Sequence, residues 1–149
     1  MSKPQFTLLP GEQVLLQIET ANITKLEPGE STGIFRLFAK FRFRGICTRT
    51  PGVFVITDKR LIFSQVKACC CSESEKVFMS YPRTALNGCC SFTRVNQSFC
   101  CCNCDDYTIG IGINEGLKSV QFLVKVKGLR QDEQAQALLS SITTLVANP

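Results

Sequence analysis

The stretch that decides the fold is Gly-Val-Phe-Val-Ile-Thr-Asp-Lys-Arg-Leu-Ile-Phe, residues 52–63. Two apolar, strand-forming runs, 53–56 and 61–63, flank the polar residues 57–60. Asp58 suits a tight turn because its carboxylate can accept hydrogen bonds from nearby backbone N–H groups. The stretch therefore predicts a β-hairpin with a basic tip.

Further strands surround this hairpin. The clearest is 34–47, where apolar residues at odd positions 35–43 alternate with a second face that carries four cations. A period of two predicts a half-buried strand. Shorter strand-like runs lie at 13–20, 77–81, 91–95, 107–113 and 119–126. The Cys-rich stretches 68–76 and 96–106 predict loops between strands. Gly110 and Gly112 alternate with isoleucine, which favours a strand whose bare backbone packs closely against the C-terminal helix.

The last segment changes period, because its apolar residues recur at spacings of three and four between Ala135 and Val146. This predicts one amphipathic helix over about 130–147, with Asp132 as a cap near its start. We expect a single domain over 1–149 with an N-terminal tail at about 1–8. The predicted fold class is mostly β with a C-terminal α-helix, a bent antiparallel sheet or open barrel capped by that helix.

Three motifs resemble pleckstrin-homology-like (PH-like) domains of the GRAM and bacterial PH types. Leu-Leu-Pro-Gly-Glu at 8–12 resembles their L-x-P-G-E opening, and 52–63 resembles their hairpin. Ser80-Tyr81-Pro82 with Leu86 resembles a strand that often reads I-x-Y-x-x-I. The resemblance implies a PH-like sheet with a capping helix, and an adaptor or binding module with no chemistry of its own.

Composition narrows the function classes. The 149-residue chain carries a formal net charge of +5, which mildly favours anionic partners, and it has no histidine, the commonest general base. We therefore predict that it is not an enzyme. No secretory h-region follows Met1, and no apolar run approaches the ~20 residues of a transmembrane helix. The expected location is cytoplasmic, with peripheral membrane association as an option.

The basic strand is the candidate ligand site. Lys40-Phe-Arg42-Phe-Arg44 resembles the K-x-R-x-R signature of phosphoinositide-binding pleckstrin domains, and alternate residues on a strand point the same way. The candidate lipid- or anion-binding residues are Arg36, Lys40, Arg42, Arg44, Lys59 and Arg60. The alternative is a face kept soluble, or protected from edge pairing, by its charge. Nucleic acid is disfavoured, because the aromatic residues of this strand mostly face away from the cations.

Ten cysteines are the unusual feature of the composition. Apart from Cys47, they are clustered as Cys69, Cys70, Cys71, Cys89, Cys90, Cys100, Cys101, Cys102 and Cys104. Clustered thiols beside a basic face could take acyl chains, and the C-x-x-C from Cys101 to Cys104 could contribute to a Cys-only zinc site with Cys69–71 or Cys89–90. The third interpretation is free thiols and small buried residues, with no cofactor.

Two functions follow from these patterns. The first is peripheral binding of anionic membrane lipid through the basic face, aided by cysteine acylation. The second is a protein–protein interaction or assembly subunit with no lipid ligand. Salt dependence separates them, because electrostatic attraction to a membrane fades with ionic strength and an apolar protein interface does not.

Overall fold

A computed structural model of the protein describes residues 6–27, 48–69, 72–99, 102–129 and 131–147. The predicted strand at 34–47, with Arg36, Lys40, Arg42, Arg44 and Cys47, lies outside these ranges. Within them the elements are β1 (Val14–Leu26), β2 (Thr48–Arg49), β3 (Gly52–Thr57), β4 (Arg60–Cys69), β5 (Ser72–Pro82), β6 (Leu86–Phe99), β7 (Cys102–Glu115), β8 (Lys118–Val126) and the helix α1 (Asp132–Ala147). A 3₁₀ turn, Arg83–Ala85, joins β5 to β6.

The strands form one antiparallel sheet in the order β5-β4-β3-β1-β8-β7-β6. The short strand β2 extends the line of β3, since Thr48 pairs with Cys69 and Gly52 pairs with Gln65. In the part that the structure describes, β5 and β6 do not pair, so the sheet stays open. The predicted fold class is confirmed: the protein is mostly β, with an open antiparallel sheet and one C-terminal helix.

The core lies on one face of the sheet. Alternate residues of β7 and β8, such as Ile111 and Phe122, point into it and are fully buried. Phe63 stacks between Phe54 and Phe122, with ring centroids 4.8 and 4.3 Å away. The helix adds Ile142 to the same core. These contacts are the packing that an alternating β pattern and a 3.6-residue period predict.

β3 is buried on both faces. Phe54 and Ile56 belong to the main core, whereas Val53 and Val55 form a second cluster with Ile62 on the opposite face. Phe6 packs against that second cluster, although the sequence placed it in a tail. Burial on both faces explains why 52–56 reads as a continuous apolar run rather than an alternating one.

The prediction of loops in the Cys-rich stretches is wrong at the flanks of those stretches, because strand pairing continues into them. β4 and β5 pair up to Cys69 opposite Ser72, and β6 and β7 pair up to Phe99 opposite Cys102. Backbone hydrogen bonds between two strands need no apolar side chains, so a ladder can extend beyond the hydrophobic pattern that reveals it.

The glycines of β7 also differ from expectation. A Cβ at Gly112 would lie 2.1 Å from Asn87 Oδ1, and one at Gly110 would lie 2.8 Å from both Gln121 Nε2 and Ser91 Oγ. Polar side chains of the neighbouring strands therefore occupy the space over this backbone, and the helix is not among the nearest atoms. The helix begins at Asp132 as expected, but the carboxylate of this residue accepts hydrogen bonds from Tyr107 and Arg94.

Candidate functional site

Two of the three resemblance motifs meet at the tip of the β3–β4 hairpin. The Glu12 carboxylate lies beside Arg60, with Nε 2.9 Å from Oε1 and Nη2 3.2 Å from Oε2. Thr57 Oγ1 donates to Oε1 at 2.6 Å, and the backbone N–H of Leu9 donates to Oε2 at 2.7 Å. The side chain of Glu12 is completely buried. We call this group, Leu9, Glu12, Thr57 and Arg60, the N-terminal clamp.

Charge pairing dominates the ionisation of the clamp. The hydrogen bonds from Arg60 lower the pKa of Glu12 from 4.5 to about 2, although burial acts in the opposite direction. Bonds from Thr57 and from the backbone of Leu9 lower it further. Glu12 is therefore ionised throughout the ordinary pH range and serves as a fixed anion inside the fold.

Arg60, a predicted anion-binding residue, donates hydrogen bonds from its guanidinium to groups within the protein. Besides Glu12, it donates to the carbonyl of Thr7 at 2.6 Å and to Ser80 Oγ at 3.3 Å. Lys59 is exposed, and its ammonium donates to the carbonyl of Pro10 at 3.1 Å. Each basic residue of the tip thus contacts the N-terminal segment, and a ligand at Arg60 would have to compete with those contacts.

The turn uses residues that sequence reasoning missed. Thr57 Oγ1 accepts the N–H groups of Lys59 and Arg60, at 3.2 and 3.0 Å. Asp58 accepts a backbone N–H as predicted, but the donor is Gln13, which directly precedes β1, at 2.9 Å. In the sequence, nothing marked Glu12 as a site residue other than its place in the 8–12 motif. A buried glutamate opposite a hairpin arginine can be recognised only once the two segments are known to meet.

A second group of features surrounds the end of β1, and we call it the distal end. It comprises the end of β1 at Leu26 and the β7–β8 hairpin, because Leu26 pairs with Gln121 near the start of β8 and Lys25 bonds Glu115 at the end of β7. The β4–β5 hairpin is separate from it. Tyr81, whose hydroxyl bonds Glu115, pairs with Leu61 at the Arg60 end of β4, whereas Thr48 pairs with Cys69 at the other end.

A partly buried polar triad supports the distal end. Glu115, the last residue of β7, accepts hydrogen bonds from Lys25 Nζ at 2.7 Å and from the Tyr81 hydroxyl at 2.5 Å. The Lys25 hydrogen bond lowers the pKa of Glu115, and the Glu115 hydrogen bond raises that of Lys25. Burial, together with the bond to Glu115, raises the pKa of Tyr81 to about 12. The third resemblance motif, which contains Tyr81, thus supplies a structural contact.

The backbone register separates two of the cysteine clusters. Cys69 pairs with Ser72 at the β4–β5 hairpin, and Cys102 pairs with Phe99 at the β6–β7 hairpin. On the β6–β7 ladder Cys90 pairs with Ile111 and Cys104 pairs with Gln97, so the two cysteines are about 23 Å apart along the strands. Thiolates that share a zinc ion each lie about 2.3 Å from it. The register therefore does not bring Cys90 and Cys104 to one ion.

The structure describes less of the remaining cysteines. Cys70, Cys71, Cys100 and Cys101 lie outside the described residues, and Cys89 is placed only as a backbone position in β6. Among the side chains that the structure describes, no group of three or more cysteine or acidic residues is placed to hold a metal ion.

Among the described residues, large apolar side chains are exposed beside the clamp, at the β7–β8 hairpin and, as Phe78, on β5. Leu8, Leu9, Val14 and Leu15 flank the turn of the N-terminal clamp, and each is 40–48% exposed. At the distal end, Leu117 is completely exposed. No helix in the described ranges is long and apolar enough to cross a membrane.

Comparison of the chain with protein-family models found no match, and comparison with curated proteins found none either.

Proposed function

We propose that this chain is a non-catalytic PH-like module, of the GRAM or bacterial PH type, that associates from the cytoplasm with anionic membrane lipid through its distal end. The observation that carries the proposal is the register. The chain leaves β1 after Leu26, at the distal end, and re-enters the sheet at Thr48, which pairs with Cys69 at the end of β4. The segment between them carries Arg36, Lys40, Arg42 and Arg44.

The charge of this segment supports an orientation in which the distal end faces the membrane. Each cation near an anionic leaflet contributes about 1 kcal/mol of attraction, so four cations on one segment give a useful, salt-sensitive affinity. Cys69 pairs with Thr48, where the chain returns from the basic segment to the sheet, and Cys70 and Cys71 follow it in the sequence. Acylation there would add a hydrocarbon anchor close to the basic segment, and two anchoring signals hold a protein far more firmly than one.

The contacts of the ionisable groups whose pKa values are displaced support a non-catalytic role. The described groups with displaced pKa values are Glu12, Lys25, Tyr81 and Glu115. Each of them is bonded to another part of the same sheet. Shifted pKa values arise in structural ion pairs as well as in active sites, and here the partners are structural.

The test is vesicle co-sedimentation of the reduced protein at 50 and 300 mM salt, with neutral, phosphatidylserine and phosphoinositide vesicles. The Arg42→Glu/Arg44→Glu variant should lose binding to anionic vesicles. Lys125→Glu/Lys127→Glu reverses the same charge at the C-terminal end of β8 and is the matched control, which should retain most binding. Equal loss in both variants, or no binding by the unaltered protein, would contradict the proposal.

A second candidate rests on the clamp end. The four exposed residues Leu8, Leu9, Val14 and Leu15 flank the turn of the clamp, and exposed apolar side chains close together in the chain suit a protein partner. Association through that surface would be insensitive to salt and would be weakened by Leu8→Ser/Leu9→Ser. The same variant should leave vesicle binding unchanged, so the two candidates give opposite results.

A further inference from the structure

The tip of the β7–β8 hairpin presents a leucine to solvent. Glu115 pairs with Lys118, so Gly116 and Leu117 form a two-residue turn. Gly116 has φ +60°, a left-handed conformation that suits glycine in such a turn. Leu117 has a relative exposure of 108%, so its side chain touches almost nothing in the protein. Turn chemistry favours Asn, Asp, Ser or Gly here, so the turn itself gives no reason for leucine.

The base of this hairpin is fixed. Glu115 is bonded to both Lys25 and Tyr81, which come from β1 and β5. Ser119, just beyond the turn, accepts a hydrogen bond from Asn87 of β6 at 3.0 Å. The tip is therefore held by contacts to three other strands, and Leu117 projects from a defined position.

The surroundings of Leu117 identify its partner. Lys118 is exposed directly beside it, and the tip belongs to the distal end. An apolar side chain at a protruding tip beside a cation matches a bilayer interface, where hydrocarbon lies a few ångströms below anionic head groups. A protein surface would normally require a broader apolar patch than one side chain.

We propose that Leu117 inserts into the hydrocarbon boundary of an anionic membrane while Lys118 contacts its head groups. This inference rests on the proposed membrane association and adds an apolar contact to it. The basic segment would supply the salt-sensitive part of the affinity, and Leu117 would supply a part that persists at high salt, because burial of apolar surface is not screened by ions.

Fluorescence provides a direct test, because the chain contains no tryptophan. In Leu117→Trp the single indole should shift to shorter emission wavelength on phosphatidylserine vesicles and be quenched by lipids brominated near the head of the acyl chain. Phe78→Trp is the matched control, since Phe78 is 51% exposed on β5 and the substitution places the same probe at another exposed apolar position. Its emission should not change.

Binding measurements complete the test. Leu117→Ser should bind the same vesicles about tenfold more weakly, with an unchanged dependence on salt, and Leu117→Phe should bind as the unaltered protein does. Because Leu117 contacts almost nothing, these variants should keep the unfolding midpoint. Unaltered binding by Leu117→Ser, together with an unshifted indole emission in Leu117→Trp, would overturn the insertion alone. Absence of binding by the unaltered protein would overturn the membrane association on which it rests.

Discussion

The carboxylate of Glu12 and the guanidinium of Arg60, 48 residues apart in sequence, lie 2.9 Å from each other and join two of the three motifs that resemble PH-like domains. The relationship gives those motifs a structural meaning. Thr57 and Leu9 complete the bonding of the same carboxylate. The basic tip of the hairpin thus fixes the entry of the chain into β1.

Glu12→Gln should lower the free energy of unfolding, because the neutral amide cannot match the charged bonds to Arg60 and leaves that guanidinium, which is only partly exposed, poorly paired. Urea titration of the purified protein measures the effect. Glu19→Gln is the control, since Glu19 is an exposed glutamate on β1, the strand that follows Glu12. Equal unfolding midpoints for the two variants would show that the clamp contributes nothing to stability.

The clamp also predicts a dependence on pH. The folded protein holds the pKa of Glu12 at about 2, below its ordinary value of 4.5. The stabilisation is therefore complete above about pH 4.5 and is lost as the pH falls from there towards 2. Unfolding free energies measured from pH 7 to 2 should fall more steeply in this window for the unaltered protein than for Glu12→Gln. Parallel curves would contradict this prediction.

Tyr81→Phe should destabilise the fold by roughly 1 kcal/mol, because it removes the hydroxyl bond to Glu115 and keeps the ring. The ring packs edge-on against Phe63 and Phe122, so the core should survive. Chemical denaturation measures the loss, and Lys118→Gln, beside Glu115 on the surface, is a suitable control. A loss of several kcal/mol would instead mean that the ring itself had been displaced.

Tyrosine titration tests the same site independently. The chain has two tyrosines, and the pKa of Tyr81 is raised to about 12. The stabilisation from its neutral hydroxyl is full below about pH 10 and disappears as the pH rises towards 12. Absorbance at about 295 nm should show a late-titrating tyrosine that is missing from Tyr81→Phe. An ordinary titration near pH 10 would show that the hydroxyl is not held as described.

Gly112→Ala should destabilise the protein by about 1–3 kcal/mol, because a Cβ there would meet Asn87 Oδ1 at 2.1 Å. In an Asn87→Ala background the added methyl should cost much less, since the obstructing side chain is gone. Gly88→Ala is the control for conformational cost alone. A Cβ at Gly88 would meet no atom within 4 Å, but Gly88 has φ +84°, a conformation that alanine adopts only with strain. Additive effects of the Gly112 and Asn87 substitutions would contradict the contact.

Much of the fold could be predicted from local pattern. The residues 53–56 and 61–63 gave the hairpin, and the three- and four-residue spacing gave the helix at Asp132–Ala147. Patterns reveal strands through the side chains that the strands bury, so the polar or cysteine-rich starts of β5 and β7 were missed. The continuous apolar run of β3 agrees with its burial on both faces, but the run alone does not say which residues pack on which face.

The candidate site was less predictable, because it depends on contacts between distant segments. Arg60 reads as a free surface cation in the sequence, yet its partners are Thr7, Glu12 and Ser80. The Glu115 triad unites residues from β1, β5 and β7, a grouping that only the sheet order creates. Leu117 lies between two predicted strands, 107–113 and 119–126, and nothing in those patterns shows that its side chain is completely exposed.

The position of the N-terminal clamp has a mechanical consequence. An antiparallel ladder pulled from one end yields one residue pair at a time, and β1 would otherwise peel from β3 starting at Val14. Glu12 precedes Val14, and Arg60 also binds the carbonyl of Thr7. A force applied at the N-terminus would therefore act on the bonds of Arg60 to Thr7 and Glu12 before it reached the Val14–Thr57 pair. The Glu12–Arg60 ion pair, which is not part of the pairing between β1 and β3, thus protects that pairing.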